Sequence, residues 1–345
     1  MAATARTHDV ATRSPTALRA AGLVVALVAL ALAVLLSISV GAKPIALHRV
    51  WSLLVAPDGS EDAIVVHDLR VPRTVLGLLV GSALGVAGAL MQALTRNPLA
   101  DPGLLGINAG AATAIVLAVA LLGVTSATGY VWFGFLGAAA AAVLVYGIGA
   151  QGRSGATPVR LALAGTAVTA ALTAIVNGIT VVDTSVLERY RFWLVGALGG
   201  HDAGTVWQIA PFMVVGLLLA LALARPLNAL ALGEDAGRAL GAHVGRTRAA
   251  GALAVTLLCG AATAAAGPIV FVGLTVPHAA RAICGPDQRW VLPYSAVLAP
   301  TLLLAADVLG RVVGRPGELE VGIVTALVGG PVFVALIRRQ RIAQL

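Results

Sequence analysis

Ten apolar runs, most of them about twenty residues long, follow one another along this 345-residue chain and limit its fold more than any other feature. They lie at about 18–40, 73–94, 103–123, 129–150, 160–182, 204–224, 248–266, 269–284, 291–309 and 320–338. At about 1.5 Å per residue, such a run crosses a hydrocarbon core of about 30 Å. Hydrocarbon offers no partner to a free N–H or C=O, so only helices and closed barrels can span it. A barrel would show short alternating segments, and the sequence has none. With 59% hydrophobic and 11% charged residues, the expected class is an all-α polytopic membrane protein with ten transmembrane helices. The run at 269–284 is short and contains Pro277, which suits a tilted or broken helix packed inside the bundle.

Residues 1–17 are polar and are expected to form a disordered tail. The rest, 18–345, reads as a single membrane domain. Val40-Gly41-Ala42 has the look of a signal-cleavage site, but the apolar stretch before it exceeds the roughly 7–15 residues of a signal core, so a retained span is expected. Ten spans place both termini on one side. With the termini inside, the inner segments hold fifteen basic and five acidic residues, and the outer segments eight and ten. The positive-inside rule then makes both termini cytoplasmic. The net charge of +8 reflects these basic loops, and no nucleic-acid partner is expected.

Gly77, Gly81 and Gly85 recur every four residues, the spacing that lets helix backbones approach closely in a membrane. Cys259 and Cys284 lie in apolar runs without CxxC spacing and read as small buried hydrophobes. No two of the six histidines stand at i,i+4, and neither HExxH nor GxSxG occurs. The lone lysine, Lys43, is followed by Pro44, which excludes a Walker A phosphate loop. No metal site, catalytic group or cofactor is expected in this chain. An ion-coupled carrier would keep an acid or histidine deep in a span. Here only Asp307 comes near, four residues before Arg311, and an i,i+4 pair near the interface accounts for it. What remains is a bundle with no energy source of its own; a carrier working alone is the disfavoured alternative.

One stretch stands out against this background: "LGEDAGRALGAHVGRTR" (232–248). Glu234 and Asp235 suit the positive end of a helix dipole, and Glu234 pairs in register with Arg238. Ala236, Ala239, Leu240 and Val244 form a narrow apolar stripe, and Gly241 or Gly245 can end the helix. About eleven residues make about 16 Å of helix, too little to stand alone in water. Two readings stay open on pattern alone, a surface connector and a docking helix for a cytoplasmic motor.

Four stretches in order decide more. They are "LRVPRTVLGLLVGSALGVAGALMQALTRNPLADPGLLGINAG" (69–110), "LGEDAGRALG" (232–241), "GPIVFVGLTVPHAARAICGPDQR" (267–289) and "LAPTLLLAADVLGR…GELEVGIVTALVGGPVFVALIRR" (298–339). Together they resemble the FecCD-type permeases of ABC importers for iron-siderophores, haem and cobalamin, and the first is most like the ferric-enterobactin type. The resemblance implies a bacterial cytoplasmic-membrane permease subunit for ferric siderophores, with cobalamin or haem as the alternative cargo. Its implied partners are ABC ATPase subunits that hold ATP and magnesium, a second permease subunit, identical or paralogous, and an extracytoplasmic substrate-binding protein. It makes 232–241 the cytoplasmic coupling helix region, with Glu234, Asp235, Arg238, Leu240 and Gly241 at the ATPase contact. It makes Arg70, Arg73 and Arg311 the docking arginines for the binding protein. From periodicity, Thr166, Thr169, Thr173 and Asn177 share one face of the fifth span and are expected to line the translocation path between two subunits.

Overall fold

The computed structural model describes residues 15–41, 43–124, 126–151, 157–239, 241 and 243–339. Among these residues all regular structure is helical. The helices are α1 (Pro15–Ser39), α2 (Leu47–Val55), α3 (Glu61–Ile64), α4 (Val71–Thr95), α5 (Ile107–Leu122), α6 (Ala127–Gly149), α7 (Pro158–Val182) and α8 (Thr184–Val195). They continue with α9 (Ala203–Ala222), α10 (Ala224–Ala231), α11 (Glu234–Ala239), α12 (Val244–Ala266), α13 (Val272–Cys284), α14 (Gln288–Val313) and α15 (Val321–Arg339). Each of the ten apolar runs carries one helix. Among the described residues, seven helical stretches are long and apolar enough to cross a membrane, while Ile107–Leu122 and Val321–Ala335 are shorter apolar helices.

The predicted tail lies outside the described residues up to position 14, and Pro15 already opens α1. The short run at 269–284 is helical only from Val272, and Pro277 lies within the continuous helix α13 and does not break it. It enters through residues 267–271 without helical structure, turns at Phe271 with φ +69°, and then makes only the 13 residues of α13.

α4 and α14 form the central pair, with α1, α9, α12 and α13 packed around them; α5, α6 and α7 form a second group joined to the first through α12. The glycine spacing explains the central contact. A Cβ on Gly77 would meet Leu304 at 2.5 Å, one on Gly81 would meet Pro300 at 2.4 Å, and one on Gly85 would meet Ala299 at 2.4 Å. The glycine face therefore lies against α14. Backbone proximity replaces the hydrophobic drive that lipid does not supply between helices. Cys259 and Cys284 are free and buried.

Candidate functional site

At one end of the bundle, Arg70 and Arg311 converge on the last turn of α1, and Arg73 pairs with the acids beside them. A wide helical turn over Val65–Arg70 runs directly into α4, whose second residue is Pro72. This continuity sets Arg70 and Arg73 on either side of the helix start. Arg70 donates to the carbonyls of Ile38 and Ser39, both at 2.8 Å, and to that of Lys43. Arg311, near the end of α14, donates to the carbonyls of Ser37 at 3.0 Å and Val40 at 2.8 Å, and to Ser37 Oγ at 3.2 Å. Two guanidinium groups thus satisfy carbonyls that a helix C-terminus leaves open, and they sit where the helix dipole favours cations.

Arg73 has a different task. Its Nε and Nη2 reach both oxygens of Asp307 at 2.7–3.1 Å, and its Nη1 meets Glu318 at 2.6 Å. Asp307 also pairs with Arg311 at 3.0 Å. Most of the cluster is buried: Arg70, Arg73 and Arg311 are 5%, 9% and 2% exposed, and Asp307 is 0% exposed. The i,i+4 pair expected at the interface is therefore one edge of a buried network across α4 and α14.

A cavity of about 510 Å³ opens beside this network, lined by Lys43, Arg70, Arg73, His201, Arg311 and Glu318 among others. His201 Nδ1 is buried with no hydrogen-bond partner. Burial lowers the proton affinity of His201, and the neighbouring Asp202 opposes this in part. Half-buried Glu320 nearby is raised by burial, with Arg73 pulling it back. Glu318 is the more exposed acid of the pair on Arg73, its side chain being 38% exposed.

At the opposite end, the segment 232–241 folds as a shorter helix than its pattern suggests. α11 has six residues, not about eleven, and follows Gly233 at φ +104°. Gly241, at φ +83°, closes the turn with its N–H on the Arg238 carbonyl at 2.9 Å. Of the predicted apolar stripe, Ala236 and Ala239 are exposed on α11, whereas Val244 is buried as the first residue of α12. The buried position is Gly237, where a Cβ would lie 3.2 Å from the Ala229 carbonyl of α10. Close approach between α10 and α11 takes the place of side-chain packing. Glu234 is the hub: it bonds Arg238 at 3.2 Å and Arg248 of α12 at 2.6 Å, while Asp235 bonds Arg238 at 3.1 Å. Leu240, the remaining expected contact, lies outside the described residues.

α10 is tied to the bundle by a contact that sequence reading missed. Asn228 donates to Asp287 Oδ1 at 2.6 Å and accepts from the Gln288 backbone N–H at 2.8 Å. Asp287 caps α14, and its bonds to Arg289 and Asn228 hold its carboxyl well below the usual range. The Asp-x-x start of α14 is a readable cap, but no local pattern announces an asparagine 59 positions upstream. On α7, Thr166, Thr173 and Asn177 are exposed and Thr169 is half-buried. The buried side of that helix carries Ala164, Gly165, Val168, Val176 and Thr180, and rests mainly on α5, α6 and α8.

Known proteins share this sequence and shape. The chain is 47% identical over 314 residues to the ferric enterobactin transport system permease protein FepD of Escherichia coli (strain K12), covering 91% of this chain and 94% of that one. It is 42% identical over 328 residues to the iron(3+)-hydroxamate import system permease protein FhuB of Bacillus subtilis (strain 168), covering 94% and 85%. A solved inward-facing structure of a metal-chelate type ABC transporter superposes with a TM-score of 0.82 at 24% identity, over 93% of this chain and 100% of that one, and so shares the fold. Residues 29–339 match the model of the FecCD transport family, and over that length the chain is a member of the family.

Proposed function

We propose that this chain is the membrane-spanning permease subunit of a binding-protein-dependent ABC importer for ferric siderophores. The observation that carries the reading is the 47% identity over nearly the full length of both chains to a ferric enterobactin permease. In this reading α1, α4 to α7, α9 and α12 to α15 cross the bacterial cytoplasmic membrane. Both termini and the α10–α11 segment lie in the cytoplasm, and the Arg73 network faces outward. The excess of basic residues on the inner segments supports this orientation.

ABC ATPase subunits, which hold ATP and magnesium, engage Glu234, Asp235, Arg238, Leu240 and Gly241. The exposed Ala236 and Ala239 offer them an uncovered face. A second permease subunit, identical or paralogous, covers the exposed face of α7, and the substrate passes between the two past Thr166, Thr169, Thr173 and Asn177. The mild polarity of this face suits a bulky chelate better than a bare ion. The binding protein docks over the cavity beside Arg70, Arg73 and Arg311. Because these arginines have internal partners, they shape a positive basin for its acidic groups, which favours encounter and orientation more than affinity.

The test is uptake in cells lacking the gene, with and without complementation, using radioiron on several siderophores, haem and labelled cobalamin. Loss of one ferric chelate, restored by the gene, supports the proposal. Loss of haem or cobalamin alone overturns the cargo and keeps the machine. Uptake that persists in cells lacking the ATPase overturns the machine.

A further inference from the structure

A second cavity, of about 500 Å³, lies beside α10 where α9 and α12 leave the bundle, and its lining divides into two chemistries. Arg225, His243 and Arg246 line it together with the apolar Leu223, Ala229 and Ala250, and Gly241 borders it. No acid lines it. The acids of the neighbouring segment are already engaged: Glu234 holds Arg238 and Arg248, and Asp235 holds Arg238. Among the described residues, Arg225 and Arg246 have no ion pair. His243 gives α12 no side-chain cap; its carbonyl accepts from the Thr247 N–H at 2.9 Å, which leaves the earlier first-turn N–H groups, up to Arg246, as donors for an anion.

The cavity therefore offers two guanidinium groups, an imidazole and open helix donors to an anion, with an apolar wall beside them. Guanidinium forks and helix N-termini both match phosphate oxygens. Further along the same two helices, Leu218 and Leu221 of α9 and Leu253 of α12 are exposed at 62%, 45% and 54%. They are exposed apolar groups on the part of these helices that hydrocarbon surrounds in a spanning helix. A free phosphate has no use for such a wall, whereas an acyl chain does.

We propose that this cavity binds the phosphate headgroup of an anionic phospholipid, with Arg225 and Arg246 as its charged ligands and the acyl chain lying along α9 and α12. Basic pockets between membrane helices on the cytoplasmic side take such headgroups. The proposal requires that α9 and α12 span a membrane and that the ATPase contact at Gly241, which also lines the cavity, leaves room for the headgroup; it does not depend on the cargo.

The test uses the full-length chain reconstituted in nanodiscs of phosphatidylcholine with a minor fraction of phosphatidylglycerol, followed by native mass spectrometry of the lipid that stays bound. The wild type is expected to retain phosphatidylglycerol over phosphatidylcholine by about thirtyfold, the effect of two charges close to an anionic headgroup. R225Q/R246Q should lose this preference, and R225K/R246K should keep part of it. Equal retention of both lipids by the wild type overturns the proposal without any variant. So does displacement of phosphatidylglycerol by millimolar inorganic phosphate, which would make the site one for a free anion. If the glutamine variant keeps its lipid but no longer co-purifies with the ATPase, the occupant is an acidic side chain of that subunit and the lipid proposal falls. Retention is measured on purified protein, so a wrong cargo in the uptake assay leaves this result unaffected.

Discussion

Arg73 of α4 and Asp307 of α14, 234 positions apart in sequence, hold each other through both carboxylate oxygens at 2.7–3.1 Å, buried at one end of the bundle. Two buried charges are stable together because each satisfies the other, and Arg311 and Glu318 complete the set. Removing one partner strands the rest.

Asp307→Asn is therefore expected to destabilise the purified permease by about 3–5 kcal/mol, the usual cost of leaving buried charge uncompensated. Thermal unfolding in detergent measures it. Restoring stability with Arg73→Met on top of Asp307→Asn would show that the loss was electrostatic; a further drop would mean that packing dominates.

Asn228→Ala removes two hydrogen bonds that tie α10 to the start of α14, one of them to an ionised carboxylate. A loss of about 1–3 kcal/mol is expected. Hydrogen exchange at residues 224–239 should rise more than at α4. Uniform exchange across the chain would count against a local clamp.

Gly241→Ala places a Cβ at φ +83°, which costs about 1–2 kcal/mol. The turn closing α11 should loosen, so uptake should fall while the amount of protein in the membrane holds. Normal uptake would mean that the ATPase contact tolerates either turn geometry.

His201 supplies a pH signature. Burial keeps it neutral below its ordinary value of 6.5, so as pH falls past about 6.5 the unfolded chain takes a proton that the folded chain refuses. Stability is then lost from about pH 6.5 downward to the folded-state value. Glu320, raised from 4.5 by burial, acts in the opposite sense, because protonating it relieves a buried charge. His201→Gln should flatten the acid limb of the melting-temperature profile and leave the Glu320 contribution in place. An unchanged limb removes His201 as its cause.

Single cysteines at Thr166, Thr173 and Asn177 should react with a small water-soluble reagent in the assembled transporter, and one at Val168, buried against the bundle, should not. Silence at all three exposed positions rejects the path assigned to α7.

The sequence made the helices legible because each apolar run had to satisfy its own backbone. The α4 glycines predicted close packing, and the structure gives them α14 as their partner. Arg70, Arg73 and Arg311 were legible as a group at one end of their helices, but their burial was not. That depends on α1 ending beside them, which no local spacing encodes. The eleven-residue helix failed for the same reason: Gly237 packs on α10 and Val244 belongs to α12, so tertiary contact set the boundaries. Asn228 and His201 carry no local signal at all, since what matters about each lies on another helix.

α14 acts as a strut fastened at both ends. Asp287, its cap, is held by Asn228 beside the α10–α11 segment, and Asp307 is held by Arg73 at the far end. From Gln288 to Asp307 the helix rises about 28 Å. A tilt of about 10° at one fastening would carry the other about 5 Å sideways at that rise. Its internal Pro300 lies against Gly81, so the strut also touches α4 near mid-length. A push of a few ångströms on one face of the membrane would then be felt on the other as leverage, with no chain of small rearrangements between them.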